Sequence, residues 1–234
     1  MPGYFLGIDP YYIMLVVPAL LFALYAQSRV QGTFNKYLRL ANSRGYTGAR
    51  IAREILDSQG LYDVRVEMTG GHLTDHYDPR AKVVRLSQSV YSGTSVAAVG
   101  VAAHETGHAI QHKLSYAPLA FRNSLVPVAS IGSQMAIPLA ILGLIVGIES
   151  LVQFGIILFT AVVAFQVITL PVEFNASRRA LEVLETGGFL SRQELQPAKK
   201  VLNAAALTYV AAAAVGVANL LRLILLSGMG RRRD

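Results

Sequence analysis

The residues best suited to chemistry in this chain are His104, Glu105 and His108, set in VGVAAHETGHAIQH. They form an H-E-x-x-H pattern. On an α-helix, positions four apart advance about 400°, roughly 40° past a full turn, so both imidazoles project to one side. They stand about 6 Å apart along the axis and can share one zinc ion. Glu105 follows the first histidine and can reach the water that such an ion activates rather than the ion itself. As a general base it would take that water's proton while the water attacks a carbonyl.

Three fixed letters also recur in unrelated helices, so the plain alternative is two helical histidines beside a surface glutamate. The setting argues against it. SVAAVGVAA before the motif is small and apolar, as a buried helix requires. Gly107 leaves room beside a metal. Thr94 or Ser95 can accept from the first free N–H groups and start the helix.

The elements around this helix follow from composition. The chain has 234 residues, 53% of them hydrophobic and only 15% charged. Its mean hydropathy of +0.44 is too high for an ordinary soluble domain. The formal net charge is +7. With no nucleic-acid motif and no basic stripe carrying interleaved aromatics, that charge indicates no nucleic-acid partner. It fits basic segments flanking apolar spans on the cytoplasmic face of a membrane. There is no cysteine, so zinc must be held by His, Asp or Glu.

Tyr11 to Gln27 is uncharged and long enough, with its flanks, to cross about 30 Å of hydrocarbon. Its basic residues follow the apolar run, so it reads as an uncleaved anchor with its N-terminus outside, not a signal peptide. RIAREIL then places Ile51, Ile55 and Leu56 on one helical face for packing on the core, with Gly60 as its stop. Residues 61–69 alternate as a strand, and 83–87 form a second strand whose open edge suits an extended peptide. Between them, His72, Asp75, His76, Tyr77, Asp78 and Arg80 can line a site, although a solvated turn explains them too. His76 and Tyr77 are the candidate helpers for an oxyanion.

Leu125 to Ile148 and Leu151 to Val172 are uncharged and almost contiguous, and predict a transmembrane hairpin. Ala204 to Leu226 is a further apolar run, in which Arg222 is out of place. A full crossing would put Arg231–Arg233 outside, against the positive-inside rule. That last segment therefore reads as tilted, re-entrant or supported by contacts in a homo-oligomer. Residues 28–124 and 173–203 carry twelve and five Lys/Arg, seventeen of the 21, which places both in the cytoplasm.

A catalytic zinc site generally takes three protein ligands. His112 continues the i, i+4 series but lies about 12 Å along the axis from His104, too far to share its ion. His72, His76, Glu173 and Glu182 are the other candidates. Glu173 is favoured because it begins a new helix, EFNASRRALEVLE, where the hairpin returns the chain.

These stretches together carry a resemblance. AAHETGHAIQH, two apolar spans and then EFNASRRA resemble the YugP-type membrane neutral zinc metallopeptidases, as does LTDHYDPRAKVVRLS ahead of the metal helix. More distantly, the architecture is similar to bacterial heat-shock membrane metalloproteases and CAAX prenyl proteases, which carry H-E-x-x-H, a membrane hairpin and E-x-x-x-D. The resemblance implies His104, His108 and Glu173 as ligands of one Zn2+ per chain, and Glu105 as base. Ser177 stands where the distant relatives have an Asp that orients a zinc histidine; a serine would do so more weakly, or Asn175 would substitute.

The expected fold is a mainly α integral membrane protein. Its catalytic unit is zincin-like, of the gluzincin type, with a small β-sheet and a transmembrane hairpin between the metal helix and the third-ligand helix. The expected segments are an anchor (1–28), a cytoplasmic catalytic region (29–124), the hairpin (125–172), the third-ligand segment (173–203) and a last helix with basic tail (204–234). The expected activity is hydrolysis of membrane or membrane-proximal polypeptides at the cytoplasmic face of the bacterial inner membrane. An intramembrane site-two-type protease and a non-catalytic zinc-binding membrane scaffold are the alternatives.

Overall fold

The computed structural model describes residues 9–230; the basic tail Arg231–Arg233 lies outside them. The chain is mainly helical and divides into two compact units. One comprises residues 28–120 and 171–207; the other comprises residues up to 27, 121–170 and those from 208 onward.

The first unit holds the H-E-x-x-H stretch. Helix α2 (Gly48–Ser58) starts at Thr47, whose side chain accepts from Arg50 N at 3.2 Å. Ile51, Ile55 and Leu56 are fully buried, as their spacing predicts, and Gly60 ends the helix at φ +66°. The expected strand over 61–69 is shorter: β1 is Arg65–Thr69 only. Arg53 of α2 donates to the carbonyls of Leu61 and Val64, which holds 61–64 as turns.

Two further strands, β2 (His76–Asp78) and β3 (Val83–Ser87), complete a sheet of order β1-β3-β2. Strand β1 runs parallel to β3 and β2 antiparallel. The strand expected to offer an open edge is thus the central one. Val83, Val84 and Leu86 make β3 buried on both faces, and the edge strands are β1 and β2.

After the short helix α3 (Gln88–Tyr91), helix α4 (Val96–Lys113) begins at Ser95, whose Oγ accepts from Ala98 N at 3.1 Å. Ala97, Ala98, Ala102 and Ala103 are fully buried. Such small residues let α4 be enclosed, with α2 on one side and Ala198 near Gly100 on another.

The second unit is built from helix. It holds the start of α1 (Val17–Leu38), which follows a wide π-turn at Tyr12–Val16, most of α5 (Ala117–Val146), and parts of α6 (Glu149–Thr186) and α7 (Arg192–Gly230). Helices α5 and α6 meet through small residues. A Cβ on Gly155 would stand 2.7 Å from Ala136 O and 2.8 Å from Ala140 N, an approach that glycine alone permits. Ile131, Leu142, Ile145, Phe154 and Ile157 remain exposed, an apolar exterior that marks a lipid- or protein-facing surface. Among the described residues, four helices are long and apolar enough to cross a membrane: Tyr12–Leu38, Ala117–Val146, Glu149–Thr186 and Arg192–Gly228.

Two expected boundaries are absent. No new helix begins at Glu173, because α6 runs unbroken through Pro171. A proline removes one N–H, whereas ending the helix would strand a whole turn of polar groups in apolar surroundings. The polar stretch 190–203 and the apolar run after it likewise form one helix, α7. Arg222 on that helix is no longer anomalous, since its Nη2 pairs with Asp9 Oδ2 at 2.6 Å.

Candidate metal centre

One turn of α4 carries His104 and His108 on the same face, and their rings meet edge to face with centroids 4.8 Å apart. The 171–186 part of α6 supplies Glu173. Its Oε2 lies 3.2 Å from His104 Nε2 and 3.7 Å from His108 Nε2. One potential ligand atom from each of the three residues falls within 4.8 Å of the others. Tetrahedral zinc with bonds of about 2.0–2.1 Å holds its ligand atoms roughly 3.3 Å apart, close to the 3.2 and 3.7 Å that separate Glu173 Oε2 from the two imidazoles. Among the described residues this is the only such His/Cys/Asp/Glu group.

Each imidazole is braced from behind. Ser177 Oγ lies 3.1 Å from His104 Nδ1, and Gln111 Oε1 lies 3.0 Å from His108 Nδ1. Both Nε2 atoms thereby face Glu173. Asn175, the alternative brace for His104, instead bonds Gln111. Gln111 carries no signal in the sequence beyond its place three residues after His108 on a buried helix.

Glu105 is buried beside this cluster. Burial pushes its carboxyl above the ordinary carboxylate range, against the pull of the His104 and His108 imidazoles; Glu173 and Asp75 add to the rise. A glutamate whose carboxyl is raised in this way is suited to accept and release a proton.

Gly107 acts differently from the expectation that it leaves room for metal. A Cβ there would meet Ala176 O at 2.7 Å, so the space is filled by the backbone of α6. This contact sets how near Glu173 comes to the histidines.

The remaining candidates lie outside the cluster. His72 packs edge-on against Phe34, and His76 Nδ1 lies 2.8 Å from Thr74 O. Glu182 faces Arg178 on the surface. Tyr77 Oη is 2.9 Å from His112 Nδ1, which ties the open-edge strand β2 to the last turn of α4.

Four membrane-length helices, and two histidines of an H-E-x-x-H helix that meet a buried glutamate of another helix, define a class of membrane-helix proteins equipped to bind a metal. Within it, the family described as "Putative neutral zinc metallopeptidase" matches residues 12–228, and the chain belongs to that family. It is also 50% identical over 220 residues to the "Putative membrane protease YugP" of Bacillus subtilis (strain 168), covering 94% of this chain and 98% of that one. No solved structure matches.

Proposed function

We propose that this protein is a membrane-embedded, zinc-dependent endopeptidase that works at the cytoplasmic face of the bacterial inner membrane. The observation that carries the reading is the convergence of His104, His108 and Glu173 within 4.8 Å, with buried Glu105 alongside. Zinc held by these three residues would supply Lewis acidity towards water and the scissile carbonyl. Glu105 takes the proton of the attacking water and hands it to the leaving amine. An extended peptide adds to the open edge of β2 by main-chain hydrogen bonds.

His76 and Tyr77 are the candidate oxyanion helpers in this reading, and both lie outside the metal cluster, Tyr77 Oη at 2.9 Å from His112 Nδ1. Burial and the Asp63 and Asp78 carboxylates push the Tyr77 phenol up to about 12, so it keeps the hydrogen it would donate. The family and the relative's name support a membrane zinc peptidase. The distribution of Lys and Arg supports the cytoplasmic side.

An intramembrane protease of the site-two type would carry its motif on a membrane span. The metal helix α4 is not one of the four helices long and apolar enough to cross. The scaffold alternative leaves Glu105 without a task, since it is not among the grouped ligand residues.

The experiment measures zinc content and casein cleavage for the detergent-purified wild type, Glu105→Gln and Glu173→Ala. About one zinc per chain is expected in the first two and loss of it in the third, with cleavage by the wild type alone. Zinc and activity retained by Glu173→Ala would remove Glu173 from the site. Unchanged activity in Glu105→Gln would refute the proposed base.

A further inference from the structure

Gln111 is fully buried on α4, and its amide joins three partners. Nε2 donates to Val172 O at 2.8 Å and to Asn175 Oδ1 at 2.9 Å. Oε1 faces His108 Nδ1 at 3.0 Å. Asn175 Oδ1 also accepts from Arg179 Nε at 2.8 Å.

The two ends of an amide have nearly the same shape, so the direction of such a chain must come from a member of unchangeable polarity. Two members have it: the Val172 carbonyl only accepts, and the Arg179 guanidinium only donates and stays protonated. The guanidinium requires the Asn175 atom it meets to be oxygen. That oxygen and the Val172 carbonyl require the Gln111 atom they share to be NH2. Oxygen is then the only Gln111 atom left for His108, and His108 Nδ1 must carry the hydrogen. Its Nε2 keeps a lone pair, on the side of the ring that faces Glu173.

His104 has no equivalent arrangement, because the Ser177 hydroxyl can donate or accept.

We propose that Gln111, oriented by the Val172 carbonyl and by the Asn175–Arg179 pair, is a positioning residue that sets the tautomer of His108, so that Nε2 is ready as a metal ligand before metal binds. The inference rests on the metal-site reading above for its purpose, although the tautomer itself does not depend on it. The Nε2-protonated form of an unconstrained ring cannot coordinate through that atom until it has exchanged its proton. Outer hydrogen-bond partners of this kind typically change metal affinity by about 10–100-fold.

The test uses the full chain in detergent. Nitrogen-15 spectra of labelled histidine are recorded without metal at a pH where the ring is neutral, with His108 assigned by comparison with His108→Asn. Zinc affinity is measured against a competing chelator. The wild-type spectrum is expected to show His108 protonated at Nδ1. Asn175→Asp keeps the acceptor and should match the wild type in spectrum and affinity. Gln111→Leu should give mixed tautomers and zinc binding weaker by about 10–100-fold.

A Gln111 that merely packs two helices would lower Tm in Gln111→Leu and leave tautomer and affinity unchanged. That result overturns the proposal. So does an Nε2-protonated His108 in the wild type, which needs no variant to fold. Failure of the wild type to bind zinc would sink the metal reading instead, and the metal-free spectrum would still decide the tautomer.

Discussion

Ser177 Oγ stands 3.1 Å from His104 Nδ1, on the side of the ring away from Glu173. A neutral hydroxyl here holds the imidazole more weakly than a carboxylate would. Ser177→Ala is expected to weaken zinc binding by about tenfold, and Ser177→Asp to tighten it through a charge-assisted bond. Chelator competition on the three proteins checks this. Equal affinities would mean that Ser177 does not act through His104.

The approach of Gly107 to Ala176 gives a prediction in which two effects oppose. Alanine favours a helix over glycine by about 1 kcal/mol. Overpacking against a backbone carbonyl 2.7 Å away costs about 1–3 kcal/mol and moves α6 relative to α4. Gly107→Ala is therefore expected to lower Tm or leave it level, and to reduce zinc affinity because Glu173 is displaced. A variant with higher Tm and full zinc affinity would show that the helices tolerate a wider gap.

Asp75 offers a pH test away from the ligands. Burial raises its carboxyl above the ordinary range despite hydrogen bonds from Ser87 N and Oγ. The fold thus favours the neutral form, and it is destabilised as pH rises through the raised value. Asp75→Asn keeps an acceptor for Ser87 N and removes the charge. Its Tm should equal that of the wild type at pH below the usual carboxylate range and exceed it towards neutrality. Thermal denaturation across that range measures the difference, and a constant offset at all pH values would contradict the assignment.

The ion pair of Asp9 and Arg222 joins residues 213 positions apart, with Asp9 only 2% exposed. Arg222→Leu leaves this carboxylate with the Tyr12 N–H but without its charged partner, and should lower Tm. Adding Asp9→Asn removes that charge and should restore most of the loss. Thermal unfolding of both single variants and the double variant gives the coupling, and additive losses would show that the pair contributes nothing as a pair.

The sequence alone determined the features that live within one element. His104, Glu105 and His108 are legible because helical period places them without any help from tertiary packing. The buried face of α2 and the membrane-length apolar runs are legible for the same reason, and Glu173 could be singled out because a chain leaving two apolar spans must return near where it entered. Where the structure differs from that reading, the cause is a hydrogen bond made by a neighbouring element. Arg53 shortens β1 by claiming the carbonyls of Leu61 and Val64, and β3 becomes the central strand because the short segment His76–Asp78 pairs with it. Tertiary structure alone decided which groups stand behind the histidines. Gln111 and Asn175 are 64 positions apart, and only the crossing of α4 with α6 brings their amides within hydrogen-bond range. A hydrogen bond is fixed to a few tenths of an ångström, whereas periodicity specifies only a face.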